Sequence, residues 1–357
     1  MTPAPALAAP VVGDDRVVFR LHDPDGAFAW LRLRQDLQRP REGPYLVKPL
    51  GTDVWELTFG RPAVDRMEYA FEGCHHSGGV ETFCDADNPL RAPGAFGDRS
   101  VVEFPGYRAP AWCDDEPLGG QLFDTTVPSF RLRADVSVRI WTSRDADPEA
   151  PLPLLIAHDG SEYARMSELP RLLDRMTQAG RLPPLRAVLL DPMERNEHYS
   201  ASAAYARALA GDIVPALAWL APNGQHPIVG MGASLGALAM LHVHRSRPGV
   251  FAGLFLQSGS FFRQRYDRQE SGFPRFRRIA RFVGEVLNAS SASRPIPVTL
   301  TCGAVEENLA NNRAVTRALR RQGYDARLLV NRDAHNYVAW RDTFDPNLVD
   351  LLARVWR

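Results

Sequence analysis

The chain has 357 residues, 45% of them hydrophobic and 24% charged, which is enough apolar material to bury a sizeable core in about two domains. Lys plus Arg and Asp plus Glu balance at 42 each, so no global field points toward nucleic acid or an anionic membrane surface. No run of about 18 apolar residues is present that could span a bilayer, and MTPAPALAAPVVGDDR has neither a basic leader nor a sustained apolar stretch. The expected location is the cytoplasm.

Residues 1–10 read as a loose Pro/Ala tail. Residues 11–118 show short alternating apolar segments, RVVFRL, FAWLRL, DVWELTF and RMEYAFE, with Gly, Pro, Asp and Asn between them. That texture predicts a β-sandwich. Asp85 to Pro110, rich in Pro and Gly, reads as a long connecting loop. CHHSGGVETFC places Cys74, His75, His76 and Cys84 near one another. A structural zinc site prefers a tighter Cys pair and a separate His pair, so the expectation is a polar loop with reduced thiols and no metal.

From Gly119 to Arg357 strands alternate with helices. SVRIWTS, PLPLLIAHD, RAVLLD, HPIVGM, FAGLFLQS, IPVTLTCG and ARLLVN read as strands. RLLDRMTQAGRL, YARALAGDIVPALAWLA, the stretch after Ser234 and NRAVTRALRRQG read as helices. Continuous apolar strands between helices predict an α/β domain with a mostly parallel sheet covered on both faces.

Within IVGMGASLGALAMLHV, Ser234 follows a short apolar strand and opens a helix. A Gly-x-Ser-x-Gly pattern in that context predicts a nucleophile elbow, where the turn is so tight that only glycine fits two residues before and after the serine. The serine needs a base, and the base needs an acid to orient it. Of nine histidines, only His335 follows the last strand. Glu306 and Glu307 follow the preceding strand; Glu306 is favoured, Glu307 stays open, and Asp333 is a weaker candidate. The tetrahedral oxyanion needs two backbone N–H donors. Leu235, after the nucleophile, and Ser161, after Gly160 in IAHDGSEYA, are the expected pair. His158 and His198 lie at strand ends from which they could line the pocket. RQRYDRQESGFPRFRRIAR (263–281) carries seven arginines among Phe and Tyr. It reads either as a solvated basic face or as a rim that attracts an anionic or aromatic substrate.

Several stretches together resemble the enterochelin (ferric-enterobactin) esterases and the wider esterase-D-like α/β-hydrolases: LLIAHDGSEY, GRLPPLRAVLLD, GASLGALAMLHVHRSRPGVFAGLFLQSGSFF and AHNYVAWRD. The N-terminal region through VEFPGY is similar to the immunoglobulin-like domain that precedes such hydrolases. The resemblance implies an α/β-hydrolase fold and a serine esterase with no cofactor, in which Ser234, Glu306 and His335 fall on the catalytic positions. It also implies that Arg195 lies near the pocket, with Phe261 and Phe262 where relatives carry an aromatic-rich segment. The implied substrate is a small-molecule ester, with a catecholate siderophore ester as the leading candidate, and neither nucleic acid nor membrane is a partner. An acyltransferase, a feruloyl or acetyl esterase, and a non-catalytic binding protein are the alternatives, and the oligomeric state is left open.

Overall fold

A computed structural model describes residues 10–37, 43–113, 119–144, 146–292 and 294–357. Nearly all of the expected tail, and the expected domain junction at 118, lie outside them. By packing, the chain forms two units. One runs to Arg108 and includes the late segments Gly303–Glu306 and Arg332–Asn336; the other takes Ala109–Cys302, Glu307–Asn331 and Tyr337–Arg357. A single cut after 118 does not anticipate those two late segments.

The first unit contains β1 (Val11–Val12), β2 (Arg16–His22), β3 (Phe28–Gln35), β4 (Val54–Gly60), β5 (Arg66–His75), β6 (Val80–Phe83), β7 (Arg91–Ala92) and β8 (Arg99–Glu103). Among the described residues they pair as a three-stranded sheet β1-β2-β4 and a five-stranded sheet β3-β5-β8-β7, with β6 on β5. Val17 and Phe19 of β2, Leu31 and Leu33 of β3, Trp55 and Phe59 of β4, and Met67, Tyr69 and Phe71 of β5 share one core. The period-two spacing of these residues turns one face of each strand inward. The expected loop from Asp85 to Pro110 instead contains β8, which pairs antiparallel with β5. Ser100, Val101 and Val102 are buried there, and this short apolar run outweighs the surrounding Pro and Gly.

The second unit opens with β9 (Gln121–Ser129) and β10 (Ala134–Thr142) and continues through β11 (Leu154–His158), α1 (Gly160–Met166), α2 (Leu169–Gln178) and β12 (Arg186–Leu190). Next come α3 (Arg195–His198), α4 (Ala203–Ala208), α5 (Val214–Leu220), β13 (Ile228–Ala233), α6 (Leu235–Ser246), β14 (Gly253–Gln257) and α7 (Phe276–Asn288). It closes with β15 (Pro297–Gly303), α8 (Leu309–Arg321), β16 (Asp325–Asn331), α9 (Tyr337–Arg341) and α10 (Phe344–Val355).

The strands form one eight-stranded sheet in the order β16-β15-β14-β13-β11-β12-β10-β9. β12, β11, β13, β14 and β15 run parallel, whereas β10 is antiparallel to both β12 and β9. Alternate strand residues feed two cores. Leu154, Ile156, Val188 and Leu190 face one, and Leu155, Ala157, Ala187 and Leu189 face the other. That two-sided burial is why these strands read as unbroken apolar runs.

Two elements depart from the sequence expectation. β9 carries Asp124 and Pro128 and is exposed along most of its length; as the edge strand it needs only one ladder, so it tolerates both residues. The single expected helix YARALAGDIVPALAWLA is interrupted by a π-turn at Leu209–Ile213, which contains Gly211 and is followed by Pro215. Proline removes a helical N–H and forces this local rearrangement.

Candidate active site

Ser234 stands between β13 and α6 with φ 56° and ψ −119°, a backbone conformation that costs an L-residue about 1–3 kcal/mol. The bend is held from both sides. The Ser234 N–H donates to the Gln257 carbonyl (2.9 Å), and the Ser234 carbonyl accepts from the N–H groups of Leu238 (3.2 Å) and Ser260 (3.1 Å). A Cβ on Gly232 would stand 2.6 Å from the Gly236 carbonyl carbon, so no side chain fits there. Gly236 is packed less tightly: its Cβ would come 3.2 Å from His158 Cβ. The side chain of Ser234 is half-buried, and its Oγ is 3.0 Å from Ser260 Oγ.

The neighbouring strand end is equally constrained. Gln257 is buried; its Oε1 accepts from the Tyr163 hydroxyl (2.7 Å), and its Nε2 donates to Trp340 O (3.0 Å) and Thr343 Oγ1 (2.9 Å). Ser258 has φ 48°, and the Trp340 indole N–H donates to its hydroxyl at 2.9 Å. A Cβ on Gly259 would meet the Phe261 ring at 2.3 Å. QSGS is therefore a packed turn that presents Ser260 to Ser234, a contact the sequence reading did not assign.

Glu306 and His335 are brought together in the first unit. His335 Nδ1 is 2.7 Å from Glu306 Oε2, while Glu306 Oε1 accepts the Gly303 backbone N–H at 2.7 Å. A carboxylate only accepts, so Nδ1 donates the proton in this bond; in the neutral imidazole that leaves the lone pair on Nε2. The Glu306 carboxylate is buried, and Glu307 is exposed. Asp333 is buried and turned onto its own loop: its Oδ1 accepts from the Ala334 N–H (2.7 Å) and from Asn336 Nδ2 (3.2 Å).

Several other expected site residues stand elsewhere. Ser161, expected as an oxyanion donor, already gives its N–H to Asp191 Oδ1 at 2.8 Å, and its hydroxyl also meets that carboxylate. A charge-assisted bond of this kind removes the N–H from oxyanion duty. His158, expected at the pocket, is fully buried beneath α6. Its Nδ1 donates to Gly236 O at 3.1 Å, its Nε2 accepts from the Tyr205 hydroxyl at 2.8 Å, and its ring stacks on Tyr199. Burial pushes its pKa down to about 3, so it stays neutral and structural. His198 is also buried, stacked on Tyr205, with its pKa lowered by desolvation. Phe261 and Phe262, expected as substrate contacts, are core residues, and Phe262 stacks on Phe276 of α7. The apolar core of α7 needs these rings as packing.

Arg195 does reach the surface. Its Nε and Nη2 form a two-pronged ion pair with Asp159 (2.7 and 2.8 Å), and its guanidinium lies over Tyr199. It lines a groove of about 350 Å³ with Glu194, Asn196, Glu197, Pro274 and Arg275. Part of the arginine-rich segment is internally committed: Arg275 and Arg278 pair with Glu197, and Arg263 bonds Asn311 and stacks on Tyr266. In CHHSGGVETFC, His75 pairs with Glu81, and the Cys84 thiol donates to Asp98 O. Among the described residues no three His, Cys, Asp or Glu side chains stand together as a metal site, and no helix is long and apolar enough to cross a membrane.

With that geometry in place, the comparisons with known proteins are specific. The Esterase family, described as "Putative esterase", matches residues 129–352. The chain belongs to the Esterase family. It is 29% identical over 217 residues to the iron(III) enterobactin esterase of Dickeya dadantii (strain 3937), a match covering 57% of this chain and 49% of that one. The chain thus spans about half the length of this curated relative.

Among solved structures it is similar to the ferric enterobactin esterase of Salmonella typhimurium, with TM-score 0.78, 20% identity, and 98% and 96% of the two chains covered. The enterochelin esterase of Shigella flexneri gives TM-score 0.76 at 22% identity, covering 98% and 95%. These likenesses assign the Esterase-family chain an α/β-hydrolase-like fold, with a mixed sheet because of β9 and β10.

Proposed function

We propose that this chain is a serine carboxylic ester hydrolase acting through an acyl-serine intermediate on catecholate siderophore esters. The observation that carries the reading is the strained, glycine-flanked turn at Ser234, whose φ of 56° holds a hydroxyl at the carboxyl end of a parallel strand. Ser234 is the nucleophile, His335 the base and Glu306 the acid that orients it. In acylation Ser234 Oγ attacks the ester carbonyl carbon and His335 Nε2 takes its proton. The oxyanion is stabilised by the backbone N–H of Leu235, the first residue of α6. Collapse expels the alcohol, which leaves with the proton from His335. Water, deprotonated by the same imidazole, then cleaves the acyl-serine. No cofactor enters the cycle.

The enterobactin esterases named among the relatives support the siderophore ester as substrate. In this reading the first unit is an immunoglobulin-like domain and the protein works in the cytoplasm. Hydrolysis of a short-chain nitrophenyl ester and of a ferric catecholate triester, by wild type and Ser234→Ala in parallel, tests it. Loss on the order of 10³-fold or more in the variant is expected with both substrates; equal rates in the two proteins would sink the assignment.

A further inference from the structure

The segments carrying Glu306 and His335 are embedded in the first unit's β core. Ala334 is a member of that core beside Met67 and Phe104, and Val305 packs against it. The Asp65 N–H donates to Arg332 O at 2.8 Å, and Arg332 Nε returns to Asp65 Oδ1 at 2.8 Å. Asp65 O in turn accepts from the Phe104 N–H at 3.0 Å, which ties the link to the end of β8. One residue on, Arg66 is buried against Glu68 (2.8 Å), and the Asp333 carboxylate lies near enough to feel its charge. Asp36 and Arg99 act on Glu68, and Tyr107 acts on Arg66. The turn backbone also abuts the acid's own anchor: a Cβ on Gly303 would lie 2.2 Å from Asp333 O, and Gly303 N–H is the group that holds Glu306.

We propose that Arg66 and Asp333, with the Asp65–Arg332 link beside them, are positioning residues that hold the Arg332–Asn336 turn so that His335 keeps its bond to Glu306. This rests on the reading of His335 as the base. The first unit then holds the base and its acid through its own β core. Its strand β5 fixes one flank of the base, and Gly303 fixes the acid. Two carboxylates facing one guanidinium would drift apart in water; burial around Arg66 keeps the three groups in one arrangement. Desolvation raises the pKa of Asp333 to about 7, against the pull of the Arg66 charge, which favours the ionised carboxylate.

The test uses the full chain. Asp333→Ala and the surface double variant Asp65→Ala/Arg332→Ala are compared with wild type for kcat, KM and the downfield Nδ1 proton resonance of His335. Expected are a fall in kcat of about tenfold to a hundredfold with KM within about twofold, and a weakened resonance. Asp333→Asn, whose amide oxygen still accepts from Ala334, restores most of the rate. In a Glu306→Ala background Asp333→Ala adds no further loss. The double variant carries the test should Asp333→Ala fail to fold. Wild-type kcat and resonance in the folded double variant would overturn the proposal, as would a fall in stability with the resonance unchanged. Full activity in His335→Ala would instead remove the base assignment itself.

Discussion

Both oxygens of Glu306 are engaged: Oε2 meets His335 Nδ1 at 2.7 Å, and Oε1 accepts the Gly303 N–H at 2.7 Å. A carboxylate fixed at both ends cannot rotate away from the imidazole, so it selects one tautomer as well as one orientation. Glu307, the adjacent residue, is exposed. Glu306→Gln is expected to lower kcat/KM on the order of 10³-fold, because an amide no longer stabilises the imidazolium. Glu307→Gln is expected to stay within about twofold of wild type. Steady-state kinetics of the pair checks this, and a reversal of the two results would reassign the acid.

Ser260 places its hydroxyl 3.0 Å from that of Ser234, from a turn strained at Ser258 and closed by Gly259. Such a bond is worth about 1 kcal/mol net. Ser260→Ala should reduce kcat/KM about fivefold, far less than Ser234→Ala, and should leave thermal stability nearly unchanged. A loss as complete as that of Ser234→Ala would mean that Ser260 itself takes part in proton transfer.

His158 gives the fold a measurable pH signature. Its folded pKa, about 3, lies below the ordinary value of 6.5, so below pH 6.5 the unfolded chain takes up a proton that the folded chain refuses. The neutral imidazole therefore contributes full stability above pH 6.5, and that contribution is lost as pH falls toward 3. The slope is about 1.4 kcal/mol per pH unit from this one group. His158→Gln, which can still bond Gly236 O and the Tyr205 hydroxyl, should show a stability-versus-pH slope smaller by that amount between pH 4 and 6. Denaturant titrations at several pH values measure it; parallel curves for the two proteins would show that the imidazole is not buried neutral.

The parts of the site that were legible in the sequence are those set by neighbours in the chain. The elbow at Ser234 is local: Gly232 and Gly236 lie within two residues and the strand-to-helix switch is continuous, so pattern alone predicts the bend. Glu306 and Glu307 differ by one residue, and only the turn from Gly303 decides which is buried. Ser161 follows a suitable glycine, but its N–H is claimed by Asp191, thirty positions later. His158 at its strand end, and Phe261 and Phe262 after theirs, have side chains that point into the core; burial of that kind comes from packing between elements and leaves no local mark. β8 was hidden by its Pro- and Gly-rich surroundings, and β9 by Asp124 and Pro128. The alternating core strands of both units, by contrast, follow directly from their side-chain periods.

The segment with Arg332 joins the first unit across 267 positions, to Asp65. During synthesis that unit's core must wait, without Ala334 and Val305, until nearly all of the other unit has emerged from the ribosome. Contacts of such long separation are slow to close. Glu306 and His335, which directly follow the late strands β15 and β16, are therefore among the last residues of the first unit to be made.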